Sequence, residues 1–241
     1  YTVNGSRANN LVWANEHFIS HNMAPFYDTN PDCPEDMRFK AVGGRDVRSE
    51  TPDGTHAEGL FVLVSPDGFT WRLLSREPIV TIAGLDSLNQ AFFDNETGKY
   101  VLYSRLGHEG YRAVERSTSD DLLHWSPREV LDYSPGPGAP DADPSLEHFY
   151  TNAIRPYDRD PGLYLGFPKR FATEHTLDPD WHGGEGLSDC VLIASRDGLH
   201  FPRRFREAFV RPGLDQMNWN ERNIMMAPGM IRTSPTEYSL Y

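Results

Sequence analysis

One short phrase recurs three times along this chain and does more than any other feature to limit how it can fold. Its copies are Ser65-Pro-Asp-Gly-Phe-Thr-Trp71, Ser119-Asp-Asp-Leu-Leu-His-Trp125 and Ser195-Arg-Asp-Gly-Leu-His-Phe201. Each follows an apolar or β-rich run: Leu60–Val64, Tyr111–Thr118 and Val191–Ala194. Self-similarity along one chain is the mark of a repeat architecture. A strand, a tight polar turn and an aromatic-led strand form the unit that a propeller blade supplies. In such a turn Asp67, Asp121 and Asp197 bond their own backbone amides, and Gly supplies a positive φ. The aromatic then packs between sheets. The three acids therefore mark blades and are not read as a site.

Strand signals extend the frame. One unit spans about 38–80, with Arg38–Val42, Leu60–Val64 and Thr70–Leu74 as strands. A second, 86–132, holds Gln90–Phe93, Lys99–Tyr103, Tyr111–Thr118 and Arg128–Leu131, four strands joined by turns. A third, 148–210, holds Tyr150–Ile154, Leu163–Phe167, Val191–Ala194 and a strand near Phe205. A fourth begins at 224 with Ala227–Ile231 and stops at Tyr241, while 1–37 reads as irregular or as part of another blade. The expectation is an all-β chain, a β-propeller of four-stranded antiparallel blades, five in the whole ring. About three and a half are present, so the chain reads as a partial propeller.

Composition agrees and excludes several function classes. The 241 residues include 20 Gly and 19 Pro, which suits many turns and short strands. A net charge of −12 argues against a nucleic-acid backbone as partner, since phosphate binding wants a basic stripe. No segment is long and apolar enough for a membrane-spanning helix. The two cysteines, Cys33 and Cys190, have no metal-type spacing and are read as free thiols or one bridge. There is no G-x-S-x-G elbow, no H-E-x-x-H and no glycine-rich loop between strand and helix. No cofactor and no catalytic metal is expected. The acidic loop Asp178–Glu185 is read as a solvated loop, with a structural calcium or a lid as the other options.

In a propeller, polar residues just before each inner strand gather near the axis. Four such places occur: Asp28 and Asn30 with Glu35 and Arg38; Asp86 and Asn89; Glu147 and His148 with Asn152; and Trp219, Glu221 and Arg222. Each joins a carboxylate to Asn, His or Arg, the mixture that glycoside chemistry needs to move a proton and hold hydroxyl groups. Asp28, Asp86, Glu147 and Glu221 are the candidate catalytic acids. Asn30, Arg38, Asn89, His148, Asn152, Asp189, Trp219 and Arg222 are the candidate substrate contacts, with Tyr150 and Trp219 as ring platforms.

At these residues the chain resembles the five-bladed β-propeller glycoside hydrolases, the superfamily that holds families 32, 43, 62, 68 and 117. Ser119–Trp125, Phe93–Tyr103 and an acid before each inner strand carry the resemblance. It is more closely similar to bacterial proteins labelled family-32-like, through Asn30-Pro-Asp32, Asp86-Ser-Leu-Asn89, His148-Phe-Tyr-Thr-Asn152 and Ser195–Phe201. The resemblance implies three acids: Asp28 as base or nucleophile, Asp86 orienting substrate and tuning pKa, and Glu221 or Glu147 as general acid. The family-32 W-x-N-D-P-N-G, R-D-P and E-C signatures are missing, so fructan specificity is not implied.

The leading expectation is a glycoside hydrolase acting on an oligo- or polysaccharide, periplasmic or secreted if the substrate is a polysaccharide. A non-catalytic carbohydrate-binding propeller is the first rival. A sialidase-like six-bladed enzyme is the second, with Arg38, Arg155, Arg211 and Arg222 available for a substrate carboxylate. A protein-interaction propeller is the third.

Overall fold

A computed structural model describes residues 2–13, 19–45, 59–81, 84–134, 147–173, 186–203, 206–213 and 222–241. The chain is all-β, and the described residues hold no α-helix beyond a 3-10 turn at Glu35–Met37. It divides into two compact units, Tyr1–Leu106 with Ser117–Arg128, and Gly107–Arg116 with Glu129–Tyr241.

In the first unit β1 (Ala24–Tyr27), β2 (Phe39–Arg45), β3 (Gly59–Ser65) and β4 (Arg72–Leu73) form an antiparallel sheet in chain order. This sheet starts earlier than expected, because Ala24 pairs with Val42 and draws part of the 1–37 stretch into it. All seven residues of β3 are buried, so the sheet is covered on both faces. Alternation then sorts the side chains. Phe26, Val42, Leu60 and Val62 pack with Ala91, Tyr100, Leu102 and Leu122, whereas Ala41, Phe61 and Leu63 pack with Trp13 and Ile19. Each such Leu, Val or Phe contributes about 1.5–3 kcal/mol by leaving water.

A second four-stranded sheet runs β5 (Gln90–Asp94), β6 (Lys99–His108), β7 (Tyr111–Ser119) and β8 (Glu129–Val130), again in chain order. Asp94 closes its first turn by accepting from the Glu96 amide and the Thr97 hydroxyl. Between His108 and Tyr111 the loop is only Glu109-Gly110, with φ of 48° and 85°. Two positive φ values are what the tightest twisted hairpin demands.

The stretch 148–210, expected as one blade, falls into two three-stranded sheets. One holds β9 (His148–Phe149), β12 (Lys169–Ala172) and β13 (Leu187–Cys190); the other holds β10 (Arg155–Pro156), β11 (Tyr164–Gly166) and β14 (Ile193–Ser195). The division is a break in a shared ladder. Pairing steps from Gly166–Ile193 to Lys169–Cys190 without a slip, and the Val191 amide donates to the Pro168 carbonyl at 3.2 Å between them. Pro168 has no N–H to return, so the ladder is interrupted there. Opposite, the strand expected at Tyr150–Ile154 is replaced by an irregular stretch in which Ala153 takes φ 44°. The strand expected near Phe205 lies outside the described residues. Near the C-terminus, β15 (Ile231–Arg232) pairs with β16 (Tyr238–Ser239), shorter than the expected Ala227–Ile231 run.

The three repeated phrases close alike. Serine Oγ donates to the aspartate Oδ1 at 3.0, 3.1 and 2.9 Å in chain order. That Oδ1 accepts two further backbone amides, from Phe69 and Thr70, Leu123 and His124, and Leu199 and His200. The left-handed position is Gly68, Leu122 or Gly198, with φ of 77°, 69° and 73°. Leu122 accepts the strained φ and is buried in the core. Trp71 and Trp125 each donate from the indole back to this residue's carbonyl, at 2.9 and 3.0 Å.

Candidate active site

Two strands of the second unit build the site. In β12 side chains alternate, so Arg170 projects to one face and Lys169 and Phe171 to the other. Arg170 pairs directly across the ladder with Asp189 of β13. Its Nε and Nη2 donate to the two oxygens of Asp189 at 2.9 and 2.7 Å, a bidentate fork. Its Nη1 donates to Glu147 at 2.9 Å. Arg203, whose side chain is 1% exposed, grips the same Glu147 through Nε at 2.9 Å. Burial would raise the Glu147 pKa, but the Arg203 and Arg170 guanidiniums outweigh it and hold the carboxyl below the ordinary glutamate range. Glu147 is therefore a fixed anion at neutral pH.

Beside this cluster lies a cleft of about 530 Å3, lined by Glu109, Tyr111, Glu147, His148, Arg170, Phe171 and Asp189, among others. The tight hairpin places Glu109 and Tyr111 on its wall. Tyr111 and His148 stack with ring centres 4.9 Å apart, and Phe171 meets His148 edge-on at 6.4 Å. The Arg112 amide donates to His148 Nδ1 at 3.3 Å, which leaves Nε2 as the nitrogen that carries the proton in the neutral ring. Rigid ring faces joined to a few fixed charges are the usual make-up of a small-molecule cleft. Glu109 is exposed and has no ion pair among the described residues.

Of the expected site residues, the structure brings Glu147, His148 and Asp189 together. Asn152 is buried, and its Oδ1 accepts the Ile154 amide at 3.4 Å, so it braces the irregular stretch. The Arg222 carbonyl accepts the Ser188 amide beside β13. The Tyr150 ring carries two cations, Arg112 and Lys169, on its faces. Glu221 and Trp219 lie outside the described residues, as does the Asp178–Glu185 loop.

The remaining candidates belong to the first unit, where several are engaged by their surroundings. Asp28 is fully buried. Its oxygens accept from the Lys40 ammonium, from the Tyr100 hydroxyl at 2.7 Å and from the Asn30 amide at 2.9 Å. Burial raises its pKa, but Lys40, Asn30 and Tyr100 together hold it below the usual aspartate value. The carboxylate expected as base or nucleophile is thus enclosed by three internal donors. Arg38 is spent on the carbonyls of Asn30 and Cys33, both at 2.8 Å, and Asn30 donates to Tyr100 at 3.2 Å. Asn89 is buried and bonded to the Leu85 and Ser87 carbonyls and the Arg105 amide. Arg38 and Asn89 are thus bonded to the backbone of neighbouring loops. Asp86 stays half exposed and pairs with His21. Cys33 and Cys190 are both free and buried.

This unit has a cleft of its own, of about 720 Å3, walled mainly by Leu11, Trp13, Met23, Phe39, Phe69 and Trp71. Its one carboxylate, Asp67, is occupied by the turn. Arg170, Arg203, Lys40 and Tyr111 were not among the residues expected at a site. The only local signal was a cross-strand one: Arg170 opposite an acid, visible once the pairing is known.

No protein-family model matches the chain, and no curated protein matches it significantly. Among solved structures, an N-acetylgalactosamine deacetylase from F. plautii in complex with blood group B trisaccharide is 13% identical, with a TM-score of 0.52 over 88% of this chain and 76% of that one. A glycoside hydrolase is 13% identical, with a TM-score of 0.51 over 87% of this chain and 60% of that one. A BT0996 complex with RGII has a TM-score of 0.48 at 15% identity, over 87% of this chain and 60% of that one. The chain thus spans less than two thirds of two of these three neighbours. The likeness is one of fold, an all-β fold shared with carbohydrate-active enzymes.

Proposed function

We propose that the protein is a glycoside hydrolase that holds its sugar in the cleft of Tyr111, His148 and Phe171, with Glu147 as the ionised member of its carboxyl pair. The observation that carries this reading is the union of ring faces with an arginine-fixed carboxylate in one cleft. The fold likeness to carbohydrate-active enzymes supports it. The sheets are read as blades of a five-bladed propeller.

A glycosidase needs one charged carboxylate and one protonated carboxyl. Glu147 suits the charged role, as nucleophile, base or stabiliser of the oxocarbenium-like transition state. It is unsuited to the acid role, because two guanidiniums favour its anion. The proton donor is then Glu109, on the open cleft wall, or Glu221. Asp189 and Arg170 fix Glu147 and the polar floor, and His148 Nε2 is a donor for a sugar hydroxyl.

Hydrolysis of a panel of oligo- and polysaccharides tests the reading. Turnover by the parent chain and a loss of about 10²–10⁴-fold in Glu147→Gln is the expected result. Full activity in Glu147→Gln would exclude Glu147. The two guanidiniums that occupy Glu147 also favour a second reading, a non-catalytic sugar-binding module. That reading predicts saturable binding in the same cleft with no turnover.

A further inference from the structure

We infer that the sugar bound in this cleft carries an anionic group, a uronic carboxylate or a sulfate ester, and that Arg112 and Lys169 hold it. The inference rests on the carbohydrate reading and names the substrate class of that site.

It starts from the two faces of β12. On one, Arg170 is neutralised by Glu147 and Asp189. On the other, Lys169 is half buried and has no acidic partner among the described residues. Its ammonium lies over the Tyr150 ring at 5.0 Å. Arg112 is likewise half buried and without an acid among the described residues; its guanidinium lies 5.3 Å from the Tyr150 ring and 5.2 Å from that of Phe171. Two cations thus share one aromatic ring, and neither has an acidic partner among the described residues.

Such an arrangement is costly in a chain like this. Ring faces attract cations by only about 0.5–2 kcal/mol, and like charges close together repel. The chain has 35 acidic residues against 23 basic ones, so acids are not in short supply. The Lys169 pKa is pulled below the ordinary lysine value, first by burial and then by the charge of Arg112. An anion placed between the two groups would relieve both effects. The pair lies beside the cleft, outside its lining, and adjoins it through Phe171 and His148. Phe171 both lines the cleft and carries Arg112, and the Arg112 amide is bonded to the cleft residue His148. The Tyr150 amide donates to the Lys169 carbonyl at 2.8 Å, which fixes the pair on the same ladder. The fork of Arg112 matches a carboxylate or sulfate, and Lys169 adds a compact point charge. With an overall charge of −12, attraction at long range is unfavourable, so recognition acts only once the sugar has docked.

Calorimetric titration of the full chain at low salt tests this directly. The uronate arm is oligogalacturonate and oligoguluronate, each beside its carboxyl-reduced counterpart. The sulfate arm is a sulfated galactan oligosaccharide beside its desulfated form. Charged members of one arm are expected to bind at least about tenfold tighter than their neutral counterparts, a gap of one decade in Kd. Arg112→Gln and Lys169→Met should each remove most of that preference for the charged form over the neutral one. Arg72→Gln, on the exposed surface, should keep it. Equal binding of charged and neutral forms by the parent chain, which needs no variant to fold, would overturn the inference and leave the carbohydrate reading intact. Binding to no member of either arm would overturn the carbohydrate reading and this one with it.

Discussion

Replacing Arg170 by Met removes one cation that two carboxylates share. The fork to Asp189 and the bond to Glu147 are lost together, along with a 2.8 Å bond to the Arg206 carbonyl. Glu147 keeps Arg203, but Asp189 has no other partner among the described residues. The side chains of Arg170, Glu147 and Asp189 are only 19%, 16% and 10% exposed. Removing one partner of a buried pair costs about 3–5 kcal/mol, and the lower end applies because Glu147 retains its second arginine. For a chain of this length about 3 kcal/mol corresponds to a melting point lower by about 6–12 °C. The assay is thermal unfolding followed by circular dichroism at several pH values. Because the folded pKa of Glu147 is depressed, its contribution is fully present above the ordinary glutamate value of 4.5 and fades as pH falls through the lower folded value. The gap between parent and variant should therefore be widest near neutrality and narrow in acid. Adding Asp189→Asn to Arg170→Met should recover part of the loss. A variant that melts within about 2 °C of the parent at pH 7, or whose gap is the same in acid, would refute this account of the cluster.

Other expectations follow from the same geometry. Asp197→Ala should destabilise by about 1–2 kcal/mol in urea unfolding through the loss of two backbone amide bonds, whereas Asp197→Asn, which still accepts them, should lose less. Asp67 should titrate at about 2 in carbon NMR, held down by the Thr70 and Phe69 amides, so the ordering of that turn is lost only as pH falls from about 4 toward that value. Gly44→Ala should cost at least about 1–3 kcal/mol in the same unfolding assay, because Gly44 has φ 124° and a Cβ there would stand 2.2 Å from the Gly59 carbonyl oxygen. Neither cysteine should react with a thiol reagent at neutral pH until the chain unfolds, since burial raises both pKa values, that of Cys190 to about 11.

Features written in consecutive residues were legible in the sequence. Ser, Asp and the following amides are local, so the three turns could be read as structural, and their hydrogen bonds agree. Strands of apolar and β-branched residues, such as Leu60–Val64, were legible for the same reason. What depends on distant partners was not. Asp28 looked like an accessible acid because nothing near it in the chain shows that Lys40 and Tyr100 enclose it. Tyr150–Ile154 looked like a strand, but pairing on that side moves by one residue between Phe149–Arg170 and Arg155–Leu165, and Ala153 between them takes a positive φ. Glu147, His148 and Asp189 were named as site residues, yet the arginines that fix the two acids, Arg170 of β12 and Arg203, lie well away from Glu147 in the chain. Arg112 and Lys169 were passed over because an unbalanced charge is recognised only when its neighbours are known.

The most direct test of the central claim is a crystal structure of the protein with a bound oligosaccharide from the titration panel. The account predicts a sugar ring against Tyr111, His148 and Phe171, with Glu147 facing the ring and the anionic group at Arg112 and Lys169. A sugar seated instead in the apolar cleft of Trp13, Phe69 and Trp71, with the Tyr111 cleft empty, would contradict it.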